Sequence, residues 1–435
     1  MDTSTIRLSI PTSGPGMQRI VWSSIIGTAV EWYDFLIYAT ATALVFNKLF
    51  FPVASEPKLA DIVSFGTYGV GFFARPLGAA VFGHFGDRVG RKAMLAATIS
   101  IMGVGTFLIG LLPTYSQIGI AAPVLLVVLR LLQGIGLGGE WGGAVLMVVE
   151  SAPTRHRGLL GSMVQIGNPV GNLAAIGVFA LVSQLPEASF LGWGWRIPFL
   201  ISILLVGVGL WIRMTLEETP AFRALQATRQ VATLPIAEVF GANRKPFLIA
   251  VGLKISEIAW ASIAGVFVLT YGTGTLGMTR TALLNDLLVA NVVALGAIPL
   301  FGHLSDRLGR KTMCYGSCTF AILFAFPLFA LLETRDPFTV GVAIVAGITF
   351  GQMMMFGIGA PWYSELFPAR LRYSGASLGF QIGAALSGGL SPLIAAALFF
   401  KFGATWPISV YLVLCASITL AAALAAPETA RREID

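Results

Sequence analysis

Glu31 and Asp34 stand three residues apart in the run Glu31-Trp-Tyr-Asp34, on one face of a helix, with Tyr38 one turn further on and Trp32 beside them. Two carboxylates in so apolar a stretch could take up and release a proton. Arg75, Arg130 and Lys254 are cations in equally apolar surroundings, and a guanidinium presents the two-pronged donor set that suits a carboxylate. Arg130, Gln133, Leu137 and Glu140 form one helical stripe, Gln165 and Asn172 lie on another with Asn168 flanking it, and Lys254 and Glu257 repeat the spacing of three. Asn285 and Asp286 open a later apolar run, and Gln381 sits within the last but one. The chemistry these groups offer is reversible binding of protons and of a small polar or anionic molecule. A charge at mid-bilayer costs on the order of 3 kcal/mol, so each must face protein or a wet cavity. For any single residue, plain neutralisation by a neighbouring helix is a sufficient explanation. For the whole set it is weaker, because replacing a purely structural ion pair by apolar side chains is often neutral or better.

The elements that must position these groups are helices of membrane length. Hydrophobic residues make up 56% of the 435 positions and charged ones 11%, against roughly a quarter charged in ordinary globular proteins. Windows long enough to cross a bilayer lie near 20–46, 61–84, 93–113, 120–148, 159–184 and 194–214, then near 246–272, 282–305, 312–332, 338–363, 373–400 and 406–426. The expectation is an all-α polytopic membrane protein of twelve transmembrane helices in two six-helix bundles. Residues 20–214 form the first bundle and 246–426 the second; 1–19 and 427–435 are cytoplasmic ends, and the polar stretch 215–245 is a cytoplasmic linker. The apolar segment after residue 19 is too long for a signal-peptide core and stays as the first span. Of the 28 Lys and Arg, only Lys48, Lys58, Arg280, Arg335 and Lys401 fall in loops of one parity, while Arg75, Arg130, Arg196 and Lys254 lie in or beside spans. The remainder, Arg213 among them, collect on the side of both termini, which the positive-inside bias makes cytoplasmic. The net charge of +7 therefore calls for no nucleic-acid partner. Cys314, Cys318 and Cys415 lie in apolar stretches without metal-site spacing, and no metal or catalytic set is expected.

The chain also repeats itself. Gly83-His-Phe-Gly-Asp-Arg-Val-Gly-Arg-Lys92 returns as Gly302-His-Leu-Ser-Asp-Arg-Leu-Gly-Arg-Lys311, each copy in a tight turn between two spans, where glycine supplies positive φ. A second pair follows. Glu150-Ser-Ala-Pro-Thr-Arg-His-Arg157 runs into Gln165-Ile-Gly, and Glu365-Leu-Phe-Pro-Ala-Arg-Leu-Arg372 runs into Gln381-Ile-Gly. Glu150, Arg157, Glu365 and Arg372 lie at helix ends on the basic face and are expected to form gating or latch salt bridges there. Arg155 and Arg370 share those helix ends. Two equivalent bundles have a natural binding site at the midplane between them. The many glycines in spans, such as Gly134 and Gly138, are expected to let helices pack closely, and Pro169, Pro299, Pro361 and Pro392 to bend them.

The loop motif resembles the G-x-x-x-D-R-x-G-R-K loop of the major facilitator superfamily, which latches the cytoplasmic ends of its two halves; the resemblance implies that latch role for Gly83, Asp87, Arg88 and Arg91 and for Asp306, Arg307 and Arg310. Glu31-Trp-Tyr-Asp34, Arg75-Pro-Leu-Gly78, Arg130-Leu-Leu-Gln-Gly134, Gly138-Gly-Glu-Trp141 and Gly192-Trp-Gly-Trp-Arg-Ile-Pro198 narrow the resemblance to the metabolite:proton symporter family, and the likeness spans nearly the whole chain. That branch includes carriers of α-ketoglutarate, citrate, shikimate and proline or betaine. The wording around Ala43-Leu-Val-Phe-Asn47 and Phe82-Gly-His-Phe-Gly86, with Glu257, is most similar to the shikimate carriers. In the related sugar:proton symporters an Asp of helix 1 and an Arg of helix 4 form the coupling pair, and Asp34 and Arg130 match those positions. Gly167-Asn-Pro-Val-Gly171 partly resembles the motif of drug:proton antiporters without its fuller glycine pattern, and reads as a bend.

The expectation is a carrier that imports a small carboxylate metabolite together with protons by alternating access, with a zwitterionic solute as the alternative and drug:proton antiport the weaker one. Asp34, Arg130 and Glu31 are the candidates for proton coupling. Arg75, Tyr38, Trp32, Gln133, Glu140, Gln165, Asn168, Asn172, Lys254, Glu257 and Gln381 are the candidates for substrate binding. A channel would need a continuous polar pore. An enzyme or a primary pump would need a catalytic or nucleotide-binding motif, and the sequence shows none. The expected partners are a small molecule, protons and the lipid bilayer, in a monomer of a bacterial inner membrane with no cofactor beyond the coupling proton.

Overall fold

The computed structural model describes residues 15–51, 57–228 and 232–433, with the side chains of 15, 43, 57–69 and 72 outside that description. The start of the N-terminal segment, the side chain of Lys58, Arg229 of the linker and the last two residues of the tail therefore lie outside that description. Inside a bilayer every backbone N–H and C=O must find its partner within the segment, and an unbroken apolar run meets that demand only as a helix. Twelve long helices result among the described residues. In chain order α1 is Pro15–Ala41, continued by a π-turn Thr42–Phe46 and a final turn to Leu49, and α2 is Pro57–Arg88. Then come α3 (Arg91–Leu111), α4 (Ala121–Val149), α5 (Thr154–Val182) and α6 (Gly194–Met214). The second half holds α7 (Arg244–Gly274), α8 (Arg280–Leu308), α9 (Arg310–Glu333), α10 (Pro337–Glu365), α11 (Ala369–Phe402) and α12 (Trp406–Ala425). Among the described residues eleven of these are long and apolar enough to span a membrane; α2 is the twelfth helix.

Gly90 and Gly309, at φ 130° and 100°, make the two tight turns that the loop motif requires. Within the first half α4 is the hub, packed on α2 and α3, while α1 lies on α5. The glycines of α4 make this possible, because a Cβ at Gly134 or Gly138 would fall 2.5 and 2.0 Å from the carbonyl oxygens of Gly71 and Arg75. In the second half α7 packs on α11 and α12, and α9 on α12. The halves meet through α2 against α11 and α5 against α8 and α10. Helix α5 breaks at Ile166, three residues before Pro169, and α11 breaks at Gly389, just before Pro392. Pro299 and Pro361, in contrast, lie inside continuous helix. The linker is more than a tether. It carries short helices Pro220–Ala227 and Pro235–Phe240, and Phe222 is buried beneath the Arg91 guanidinium at 4.8 Å.

Candidate substrate and coupling site

Four helices of the first half converge on a small mid-depth cavity whose polar walls are Glu31 and Asp34 of α1, Arg75 of α2, Thr106 of α3, and Arg130 and Gln133 of α4. The stripe of α4 reads Arg130, Gln133, Leu137 because residues three and four apart share a helical face, and all three turn inward. A relay of hydrogen bonds joins them. Arg130 donates to Gln133 Oε1 at 3.3 Å, and Gln133 Nε2 donates to Thr106 Oγ1 at 2.6 Å. The Thr106 hydroxyl lies 2.9 Å from Asp34 Oδ2 and 2.9 Å from the Met102 carbonyl, so its single proton serves one or the other. Asp34 Oδ1 and Glu31 Oε2 are buried without hydrogen-bond partners. The ring of Phe35 is shared by two cations: Arg75 sits 4.6 Å and Arg130 5.1 Å from its centroid, and Arg130 also lies 4.0 Å over Tyr38.

The second half presents a smaller polar cluster. Lys254 Nζ is 2.6 Å from Glu257 Oε1, and it lies 3.7 Å over the ring of Phe380. Phe380 in turn stacks on Trp141 of α4 at 3.8 Å, and Trp141 donates to Gln165 Oε1 at 3.2 Å. Gln165 continues across the midplane to the Phe356 carbonyl at 3.3 Å. Asn172 Nδ2 lies 3.4 Å from Asn168 and 3.2 Å from Asn291 Oδ1 of α8, a second polar tie between halves. Gln381 is buried with an unpartnered Oε1.

Toward the face with the basic loops, two matching latches close the molecule. Asp87 accepts from the backbone N–H groups of Tyr373 (3.2 Å) and Ser374 (2.9 Å), the first turn of the α11 helix of the opposite half. Asp306 does the same for Gly158 (2.7 Å) and Leu159 (2.9 Å) of α5. Each carboxylate caps a helix N-terminus across the interface, where backbone donors and the helix dipole favour negative charge. Arg91 bridges Asp87 and Glu150 at 3.2 and 3.4 Å, and Arg372 reaches Glu150 at 3.1 Å. In the second latch Arg310 pairs with Asp306 and Glu365 at 3.0 and 3.1 Å, and Arg157 with Glu365 at 3.5 Å. Gly83 is required here, since a Cβ there would stand 2.8 Å from Ser374 Cα.

The Major Facilitator Superfamily profile matches residues 35–380. The chain belongs to the Major Facilitator Superfamily. Within it, the chain is 40% identical to the "Shikimate transporter" of Escherichia coli (strain K12) over 95% of each protein. It is 33% identical to the "Proline/betaine transporter" of the same organism, over 96% of this chain and 85% of that one. Among solved structures the fold matches the proton:xylose symporter XylE with TM-score 0.75 at 18% identity, covering 95% of this chain and 96% of XylE. This superfamily member is thus a multi-pass membrane transporter of the metabolite type and not an enzyme.

Within this superfamily fold several predicted site residues stand elsewhere than the sequence implies. Glu140 does not line the cavity. It is locked to Arg213 of α6 in a buried two-pronged pair, with Arg213 Nη1 2.9 Å from Glu140 Oε2 and Thr98 donating at 2.7 Å. Arg213 itself, which the loop count assigns to the basic face, is 2% exposed, because its fork also caps the Leu95 carbonyl. Tyr38 is fully buried behind Arg130, and Trp32 packs edge-on against Phe35 and into the apolar core of the second half. Arg88 and Arg307 are exposed, outside both latches; Arg88 contacts His84 instead. Arg370 pairs with Glu238 of the linker, and Arg155 is exposed.

Other residues go unnamed in the sequence reading. Thr106 completes the relay; its spacing from Thr98, two turns up the same helix, marks a polar stripe in α3. Glu218-Thr219 and Glu428-Thr429 form a third repeat. Glu218 and Glu428 accept from the backbones of Lys92 and Lys311, and Thr219 and Thr429 donate to Glu150 and Glu365. Burial works to raise the Glu428 carboxyl, yet the N–H groups of Ala430, Arg310, Lys311 and Thr429 hold it below the ordinary glutamate value.

Proposed function

We propose that this transporter is a proton-coupled symporter that imports a small monocarboxylate, of the shikimate type, across a bacterial inner membrane. The observation that carries the reading is the Asp34–Thr106–Gln133–Arg130 relay in the wall of one cavity with Arg75. With Asp34 ionised, the Thr106 hydroxyl donates its hydrogen bond to it. When Asp34 takes up a proton, Thr106 can turn to the Met102 carbonyl, Gln133 follows, and Arg130 is released to bind an anion. The cations at this depth, Arg75, Arg130 and Lys254, equal the carboxylates Glu31, Asp34 and Glu257, with Glu140 and Arg213 neutralising each other. One proton then leaves one positive charge, which a monocarboxylate offsets. The basic face and both termini are cytoplasmic in this reading, the two latches close that side, and the carrier acts as a monomer without a cofactor. A zwitterion such as proline or betaine is the second reading, favoured by the proline/betaine relative.

The test is uptake into proteoliposomes with an imposed pH gradient, using shikimate, benzoate, proline and glycine betaine. Shikimate or benzoate should accumulate, and Asp34→Asn should abolish accumulation while keeping exchange of labelled for unlabelled substrate. Accumulation of the zwitterions alone sinks the carboxylate reading. Gradient-driven uptake by Asp34→Asn at the wild-type level passes the proton to Glu31.

A further inference from the structure

The relay in the first half leaves the Lys254–Glu257 pair of the second half unexplained. It is a costly arrangement. Both side chains are almost wholly buried, only one Glu257 oxygen meets Lys254, and Glu257 Oε2 has no hydrogen-bond partner. A half-satisfied buried pair is a poor structural device compared with apolar side chains of the same size. Its surroundings are also unusual. The α11 backbone passes so close that a Cβ at Gly383 would lie 2.6 Å from Lys254 Cβ, while the rings of Phe380 and Phe356 lie 3.7 and 5.4 Å from Nζ. Phe380 is stacked on Trp141, so the ammonium, its aromatic cover and the first half form one continuous contact. Arg75 of the first half lies within electrostatic reach of Lys254.

We propose that Glu257 is a built-in stand-in for substrate, holding Lys254 until a carboxylate displaces it, and that Lys254 is the second half's contribution to anion binding. The inference rests on the carboxylate reading above. A carboxylate that accepts from Arg75 on one half and Lys254 on the other draws the two halves together through a single ligand. The Tyr363 hydroxyl is buried without a hydrogen-bond partner and its ring packs on Trp141 and Phe380, so the same aromatic cluster holds a free donor for the displaced Glu257. The groups around the pair are Phe356 on α10 and Phe380 on α11, with Trp141 of α4 stacked on Phe380 and Tyr363 of α10 packed on both rings.

Displacement predicts opposite effects for the two partners, which a purely structural pair does not. The probe is shikimate, compared with its uncharged methyl ester, in equilibrium binding to the purified full-length carrier in nanodiscs. Lys254→Met should weaken the acid about ten-fold and leave the ester unchanged, whereas Glu257→Gln, which removes the internal competitor, should tighten the acid several-fold. The double variant Lys254→Met/Glu257→Gln leaves neither member of the pair charged and unpaired and guards against a folding defect; with Arg75 still in place it should bind the ester as the wild type does and the acid about as weakly as Lys254→Met. Loss of affinity for the acid in Glu257→Gln, or an acid affinity indifferent to both changes, overturns the proposal while leaving the carboxylate reading standing. Failure of the wild type to bind the acid removes the carboxylate reading, and this inference with it.

Discussion

Glu140 and Arg213 show what a buried charge does when it has no ligand to meet. Each satisfies the other, Thr98 and the Leu95 carbonyl take the remaining donors and acceptors, and nothing points into the cavity. Glu140→Gln should therefore destabilise the protein by about 3–5 kcal/mol, since it leaves a guanidinium buried without its counter-charge. The double change Glu140→Leu/Arg213→Leu should restore most of that stability, and thermal unfolding in detergent checks both. If the double variant folds well yet no longer transports, the pair does more than hold α4 against α6. Asp34 differs in kind, because one of its oxygens is left open and the other is shared with a hydroxyl that has a second acceptor.

At the scale of elements, the latches work because a carboxylate on one half completes a helix on the other. Asp87→Asn keeps the side chain's shape but removes the charge that the α11 N-terminus favours, a loss of about 1–2 kcal/mol. Closure of the basic face should weaken about ten-fold, transport should slow, and substrate affinity should hardly change. Distances between spin labels at the exposed Val89 and Leu308 should lengthen in this variant and also in Asp306→Asn; unchanged distances rule the latch out. The tail adds a pH-dependent clasp through Glu428. Its carboxyl is held below its ordinary 4.5, so the clasp is complete above that value and is lost as pH falls through the lowered one. Protection of the Arg310 and Lys311 amides from hydrogen exchange, taken relative to the intrinsic rate at each pH, should be high at neutral pH and fall in acid, and Glu428→Gln should show low protection at both.

For the whole molecule, the proposed proton–monocarboxylate symport has an electrical signature. On that proposal one proton and one monocarboxylate move with no net charge, so uptake should follow the pH gradient and ignore a potassium-diffusion potential set with valinomycin. A potential-driven uptake of comparable rate requires a second proton or a zwitterionic substrate. The interface geometry has a direction as well. Both helix-capping latches, the Tyr373 hydroxyl on the Gly139 carbonyl and the Trp141–Phe380 stack lie from mid-depth to the basic face, which is shut in this structure.

The twelve spans, the two-fold repeat and the tight glycine turns were legible in the sequence because hydropathy, period and positive φ are local properties of a chain. The same holds for the inward stripe of Arg130, Gln133 and Leu137, which needs only the helical period. What the sequence could not tell apart was one buried charge from another. Glu31 and Glu140 look alike as acids in apolar runs, yet one opens onto a cavity and the other is taken by Arg213, a residue 73 positions away. Thr106 likewise gains its role only because α3 sets it between Asp34 and Gln133, and Arg88 loses the one expected of it because the turn aims it outward. The partner of a side chain is a matter of which helices touch and how each is rotated about its axis. That is decided by packing between distant segments, such as the glycine face of α4 against α2, and only the folded bundle specifies it.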